Sequence, residues 1–262
     1  MNSLEALILG LLQGLTEFLP VSSSGHLTIG KALFGIETTD LSFEVVVHTA
    51  TVLATIIVFR REILDLLDGL LKFRYDSRTK YVCMILVSMI PVFVVGVFFK
   101  DYVEEIFGSG LTIVGCCLMI TALLLLFSGF HKERQTRDVS YRSSIWMGIA
   151  QALAVLPGLS RSGSTIAAGL ICGVKREEVA EFSFLMVLIP ILGEAFLDVV
   201  GGDFSASSTG GLQLAIGFAS AFASGLFACK FMIALVKKAR LHWFALYCAI
   251  VGAACIISSL TV

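Results

Sequence analysis

Residues 6–35 read ALILGLLQGLTEFLP, then VSSSG, then HLTIGKALFG, and residues 144–173 read SIWMGIAQALAVLP, then GLSRSG, then STIAAGLICG. Each is an apolar run interrupted at its centre. Pro20 and Pro157 remove backbone donors near the breaks, while serines supply helix caps and glycines permit tight turns. Each stretch therefore reads as two half-helices joined by a loop. The two also match each other. Sliding the first by 138 positions, without a gap, sets Gly10 on Gly148, Gln13 on Gln151, Leu15 on Leu153, Ser22 on Ser160, Ser24 on Ser162, Gly25 on Gly163 and Gly35 on Gly173.

The rest of the chain says what solvent surrounds these breaks. Of 262 residues 57% are hydrophobic and only 15% charged, with a mean hydropathy of +0.92; a soluble domain is about a quarter charged. A bilayer core about 30 Å thick needs roughly 20 apolar residues per crossing. Six segments suit a crossing: about 42–59, 81–99, 110–130, 182–200, 211–236 and 243–261. Irregular backbone is tolerated at membrane depth only inside protein or beside water, so both breaks should face the interior.

Each copy is then a broken element followed by three spans, repeat 1 covering about 1–130 and repeat 2 about 144–262. If each broken element returns to the side it entered, three crossings per copy leave the copies in opposite orientation. The expected fold is an all-α polytopic membrane protein with a single membrane domain, 1–262. It is an inverted-topology repeat of six full transmembrane helices plus two re-entrant helix-loop-helix elements, and ligand sites in such plans lie where the interrupted helices meet. The alternative, eight plain spans, makes the Ser-rich centres ordinary loops and leaves several flanking segments too short.

Charge bias orients the chain. Basic residues cluster at Arg60, Arg61, Lys72, Arg74, Arg78 and Lys80; at Lys132, Arg134, Arg137 and Arg142; at Lys175 and Arg176; and at Lys237, Lys238 and Arg240. The opposite loops hold Glu37 and Asp40, then Lys100 with Asp101, Glu104 and Glu105, then Asp203. The basic face belongs to the cytoplasm. Both termini then point outward, the first broken element opens outside and the second inside. A net charge of −1 from 19 basic and 20 acidic residues gives no reason to propose nucleic acid as a partner. The seven cysteines fall in apolar runs without CxxC spacing and read as packing residues. The amino terminus lacks a basic n-region and a small-residue cleavage site, so no removable signal peptide is expected.

Ionisable groups at bilayer depth cost about 2.5–3.5 kcal/mol each on insertion scales, so they face the interior and usually serve a function. The candidates are Glu17, His26, Arg161, Glu194 and Asp198, with Glu44 and His48 nearer a span end. Gln13 and Glu17 share one helix face. Ser22, Ser23 and Ser24 fill the first loop; Arg161 stands in the second, flanked by Ser160, Ser162 and Thr165. Half-helix N-termini and an arginine fork together make an anion pocket. A carboxylate at Glu17 beside a bound anion must be protonated, take a proton, or hold a cation such as Mg2+. Nucleophile, acid/base group and charge neutralisation are what phosphoryl transfer needs. Blander roles stay open: capping for the serines, an interior hydrogen bond for His26, a fold-locking ion pair for Glu17 with Arg161, and a polar stripe for Glu194 and Asp198. Glu44 and His48 suit support of the site or interface placement better than chemistry. The small residues Gly217, Ala221 and Gly225 permit close helix contact within or between protomers, which leaves a homodimer open.

The segments QGLTEFLPVSSSGHL (Gln13–Leu27), LPGLSRSGSTIAAGL (Leu156–Leu170) and FSFLMVLIPILG (Phe182–Gly193) resemble the signature regions of the undecaprenyl-diphosphate phosphatase family, the BacA or UppP type associated with bacitracin resistance. The resemblance runs along nearly the whole chain. It implies a bacterial inner-membrane enzyme that hydrolyses undecaprenyl diphosphate to undecaprenyl phosphate and inorganic phosphate. That reaction recycles the lipid carrier of peptidoglycan synthesis, and here its reaction face would be periplasmic. It also implies dependence on a divalent cation, Mg2+ or Ca2+, with Glu17 as the metal residue. Ser23 falls at the family's proposed nucleophile, with His26 and Arg161 at its histidine and arginine. Ser160 and Thr165 fall at phosphate-contacting positions, with Gln13, Ser22, Ser24 and Ser162 as further headgroup contacts. Gln13 departs from the pattern, since many members carry Glu there; a carboxylate role at that position is lost, though the amide could orient phosphate or a metal-bound water. His26 or water remain alternative nucleophiles, and an anion transporter or lipid flippase remains the rival function.

Overall fold

The structure is a computed structural model that describes residues 1–36, 42–72, 74–99, 102, 110–130, 136–201, 209–237 and 241–261. Among them are eleven helices: α1 (Ser3–Phe18), α2 (Ser23–Leu33), α3 (Ser42–Val58), α4 (Arg60–Leu71), α5 (Ser77–Phe98), α6 (Leu111–Phe130), α7 (Tyr141–Leu153), α8 (Arg161–Ile171), α9 (Arg176–Gly201), α10 (Gly211–Lys237) and α11 (Leu241–Thr261). The described residues form no strand, only an isolated bridge between Arg137 and Val174. Glu37, Asp40, Lys100, Asp101, Glu104, Glu105, Lys132, Arg134, Asp203, Lys238 and Arg240 lie outside the described residues, and Glu194 and Asp198 outside the described side chains.

Both breaks form where the sequence places them. Leu19 precedes Pro20, whose ring pushes its predecessor out of the helical region; Leu19 is extended, with φ −72° and ψ 145°, and α1 ends there. The chain turns through Ser22, whose φ of 67° lies in the left-handed region that non-glycine residues rarely enter. At the second break Gly158 takes φ 89°, and a Cβ there would stand 2.8 Å from Val114 Cα, so both conformation and space call for glycine. The restarting helices carry the same cap. Ser22 Oγ accepts from the Gly25 N–H at 3.3 Å, and Ser160 Oγ accepts from the Gly163 N–H at 3.1 Å. Ser22 and Ser24 hydroxyls lie 3.3 Å apart, as do those of Ser160 and Ser162.

Packing repeats too. Along the internal match, α1, α2, α3, α5 and α6 correspond to α7, α8, α9, α10 and α11. Helix α1 lies along α10 as α7 lies along α5; α3 meets α10 as α9 meets α5; α6 pairs with α11 and α3 with α9. Lipid tails are as apolar as leucine, so helix association relies on close fit rather than on expelling water. Small residues provide it: Gly10 and Gly14 of α1 lie on Gly217, Ser220, Ala221 and Gly225 of α10, and Gly148 of α7 lies on Ser88 of α5. The small-residue face of α10 is thus used within the chain. Away from the core, Leu86, Ile90, Phe93 and Val97 of α5 form an exposed apolar stripe suited to lipid.

Each expected crossing coincides with a helix, but their suitability to span differs. Helices α5, α6, α10 and α11 are each long and apolar enough, and a fifth crossing counts if α3 and α4 are joined across their 74° bend. The segment 60–80 is not wholly a loop. Residues 60–71 form α4, whose Asp65 and Asp68 bind Arg78 of α5 at 2.8 and 3.0 Å while Leu64, Leu67 and Leu71 stay exposed along one face. Helix α9 begins at Arg176, ahead of the apolar run, and contains Pro190.

Candidate active site

The two breaks bring their tips together. Ser162 Oγ donates to the Leu19 carbonyl at 3.1 Å, a Cβ on Gly163 would lie 3.2 Å from Pro20 Cβ, and one on Gly25 would lie 3.1 Å from Gly158 Cα. Ser23 is the first residue of α2 and Arg161 the first of α8, so two helix N-termini converge on the end of α1.

Glu17, in the last turn of α1, is where they meet. Its Oε2 accepts from Ser23 Oγ at 2.5 Å and from Gln13 Nε2 at 2.8 Å, while its Oε1 lies 3.5 Å from Arg161 Nη2. The carboxylate side chain is 9% exposed and the guanidinium residue 25%, so the pair is screened on one side and open on the other. A carboxylate accepting a serine hydroxyl is placed to take its proton. A partly exposed guanidinium beside it is placed to receive anionic oxygens.

The remaining candidates divide. Gln13 is fully buried; its Nε2 also faces His48 Nδ1 of α3 at 3.0 Å, and its Oε1 has no hydrogen-bond partner among the described residues. Ser22 and Ser160 are buried caps, and Ser24 touches Ser22. Thr165 is turned away from Glu17: its Oγ1 donates to the Arg161 carbonyl at 2.8 Å and meets Ser183 Oγ of α9 at 2.5 Å. His26 is held apart as well. Its Nδ1 lies 2.8 Å from the Ser22 carbonyl, its Nε2 lies 2.7 Å from Tyr247 Oη of α11, and the two rings stack. Tyr247 carries no motif that would have singled it out, and Ser183, although within the Phe182–Gly193 segment, is not among the candidate residues. His48 lies 3.6 Å from Glu17 Oε2 and so belongs to the site, whereas Glu44 binds Lys31 of α2 at 2.5 Å.

The donor set suits a hard cation. The Glu17 carboxylate and the Ser23 hydroxyl are oxygen ligands of the kind that Mg2+ or Ca2+ takes, the rest of its coordination coming from water or phosphate oxygens. A narrow cavity runs from Glu17 and Arg161 between α3, through Thr51, Val52 and Thr55, and α9, through Phe184, Val187, Leu188 and Ile191. Its free space, ≈ 20 Å³, holds about one water. Anything larger must part those helices.

The model for the family "Bacitracin resistance protein BacA" matches residues 6–254. An undecaprenyl-diphosphatase of Parabacteroides distasonis is 58% identical over 256 residues, 96% of each chain. One of Bacteroides fragilis is 57% identical over 263 residues, 99% of each chain. One of Carboxydothermus hydrogenoformans is 40% identical over 257 residues, 96% of this chain and 95% of its own. With both breaks inside a match of nearly full length, the chain belongs to the bacitracin resistance protein BacA family.

Proposed function

We propose that this chain hydrolyses undecaprenyl diphosphate to undecaprenyl phosphate and inorganic phosphate, the activity named for its relatives. In the cell that reaction recycles the lipid carrier of peptidoglycan synthesis and confers bacitracin resistance. The observation that carries the reading is the single carboxylate of Glu17, bound by Ser23 Oγ at 2.5 Å on one oxygen and faced by Arg161 at 3.5 Å on the other.

In this mechanism Arg161 and the N–H groups opening α2 and α8 receive the diphosphate oxygens, where half-helix dipoles favour negative charge. Ser23 Oγ bonds to the terminal phosphorus while its proton passes to Glu17. The bond from that phosphorus to the bridging oxygen breaks, and Glu17 hands the proton to the departing oxygen, releasing undecaprenyl phosphate. Glu17 then takes a proton from water, whose oxygen displaces Ser23 Oγ from phosphorus; the serine regains the proton and inorganic phosphate leaves. Glu17, with Ser23, would hold a divalent cation, which would supply charge neutralisation at the diphosphate. The apolar walls of α3 and α9 suit the prenyl chain.

We also read the fold as an inverted repeat with six spans and two re-entrant elements, in the bacterial inner membrane, its reaction face periplasmic. Duplicated serine caps and helix contacts that recur with exchanged partners support it. Labelling single cysteines introduced in 60–80 and 201–210 should place those segments on opposite sides.

The hydrolase reading predicts phosphate release from a prenyl diphosphate by purified protein in detergent, abolished by Glu17→Ala and Arg161→Ala in chains that remain folded. A phosphorylated peptide covering 13–31 should carry phosphate on Ser23; phosphate on His26, or on neither, would reassign the nucleophile. Protein that releases no phosphate with Mg2+ or Ca2+ yet moves lipid across vesicles would overturn hydrolysis in favour of transport.

A further inference from the structure

Gln13 cannot act as an acid or base, yet it is fully buried against the reacting carboxylate. Its amide nitrogen makes two contacts at once, 2.8 Å to Glu17 Oε2 and 3.0 Å to His48 Nδ1. An NH2 group has two hydrogens, and this geometry spends one on each partner. Turning the amide over would set its oxygen 2.8 Å from a carboxylate oxygen, acceptor against acceptor. While Glu17 is ionised the nitrogen must therefore face it, and Nδ1 must be the accepting nitrogen of the His48 ring.

Nothing on the far side of the amide helps, because among the described residues Gln13 Oε1 has no partner. Among the described residues the amide is thus held by Glu17 and by His48, which reaches it from α3, 35 positions along the chain. Glu17 in turn is steadied between Gln13, Ser23 and Arg161.

We propose that His48 is a positioning residue for the hydrolysis: its Nδ1 lone pair holds the Gln13 amide nitrogen toward Glu17, and so holds Glu17 in line with the Ser23 hydroxyl. The proposal rests on Glu17 and Ser23 being the reacting pair. It makes Gln13 and His48 one functional unit, with an amide and an imidazole together orienting Glu17. Removing the imidazole leaves the amide held by Glu17 alone among the described residues, so amide and carboxylate can swing together and Glu17 loses its alignment. A misplacement of about 1 Å near reacting atoms can cost roughly a hundredfold in rate.

The test measures phosphate release from a prenyl diphosphate by full-length protein in detergent, comparing wild type, His48→Ala, His48→Gln, Gln13→Leu and the double variant Gln13→Leu/His48→Ala. His48→Ala should lower kcat about 10- to 100-fold with KM changed less than about threefold. His48→Gln offers an accepting amide oxygen and should recover kcat to within about fivefold of wild type. With Gln13→Leu in place, His48→Ala should cost nothing further, since the two act through one contact. Wild-type kcat in His48→Ala, no recovery in His48→Gln, or an equal loss in both backgrounds would each overturn the proposal. If wild type itself releases no phosphate, the hydrolase reading fails before any variant is compared, and this inference falls with it.

Discussion

Adding one methyl group to Gly14 should slow the enzyme while leaving every reactive side chain in place. A Cβ built on Gly14 would stand 2.8 Å from Gly225 N of α10 and nearer still to the Ala221 carbonyl and Ser224 Oγ. Ordinary contacts at such an atom run from 3.4 to 4 Å, so α1 must move off α10 by about 1 Å. Two of the three obstacles are helix backbone or its carbonyl, which cannot rotate aside. Overpacking of this kind costs about 1–3 kcal/mol. Glu17 follows Gly14 by three residues and travels with the helix, away from Ser23 and Arg161, whose positions are set by α2 and α8. A displacement of about 1 Å is worth roughly a hundredfold in rate. The assay is phosphate release together with the thermal midpoint in detergent, with Gly129→Ala as the control, since a Cβ there meets nothing within 4 Å. Gly14→Ala should lower both readouts and Gly129→Ala neither. A Gly14→Ala protein with wild-type rate and midpoint would refute the argument that this seam positions the carboxylate.

Arg161→Lys keeps the charge but loses the fork, and should cut kcat about 10²- to 10³-fold, checked by steady-state kinetics. Tyr247→Phe removes the hydroxyl 2.7 Å from His26 Nε2, a bond worth about 1 kcal/mol, and should cost about fivefold in kcat/KM if His26 takes part in turnover. Dialysis against a chelator should abolish phosphate release, with Mg2+ or Ca2+ restoring it, and Glu17→Gln should weaken cation binding measured by titration calorimetry. The N–H of Thr79 holds the Asp76 carboxyl below the usual carboxylate range. The stabilisation from that cap of α5 is complete above the unfolded value of about pH 4 and is lost as pH falls below it through the folded value. Asp76→Ala should therefore lower the thermal midpoint at neutral pH and flatten its decline in acid.

The breaks were legible because proline, serine and glycine each act locally. Pro20 fixes where α1 stops whatever surrounds it, and Ser22 and Ser160 cap the next helix with a bond three residues long. The meeting of Glu17 with Arg161 followed from the internal match, since each stands at the break of its own copy and breaks at membrane depth must face the interior. Three features were not legible. Helix α4 hides its leucines among charges, so a reading tuned to long apolar runs passes over it. Tyr247 reaches His26 across 221 positions, and a tyrosine in an apolar helix looks like any lipid-facing aromatic. Thr165 shares a motif with Arg161, but its direction depends on Ser183 of α9, which no local pattern encodes.

The bond from Ser162 to the Leu19 carbonyl bears on how such a chain is assembled. That carbonyl accepts from the Val21 N–H at 2.8 Å inside its own break, and Ser162 adds a second donor from the opposite half of the molecule. The contact therefore ties one tip to the other, where irregular backbone at membrane depth must be covered by protein. A severed amino-terminal half should therefore be degraded faster when made alone in cells than when the carboxy-terminal half is co-expressed, because the tip of its break then has no protein to cover it.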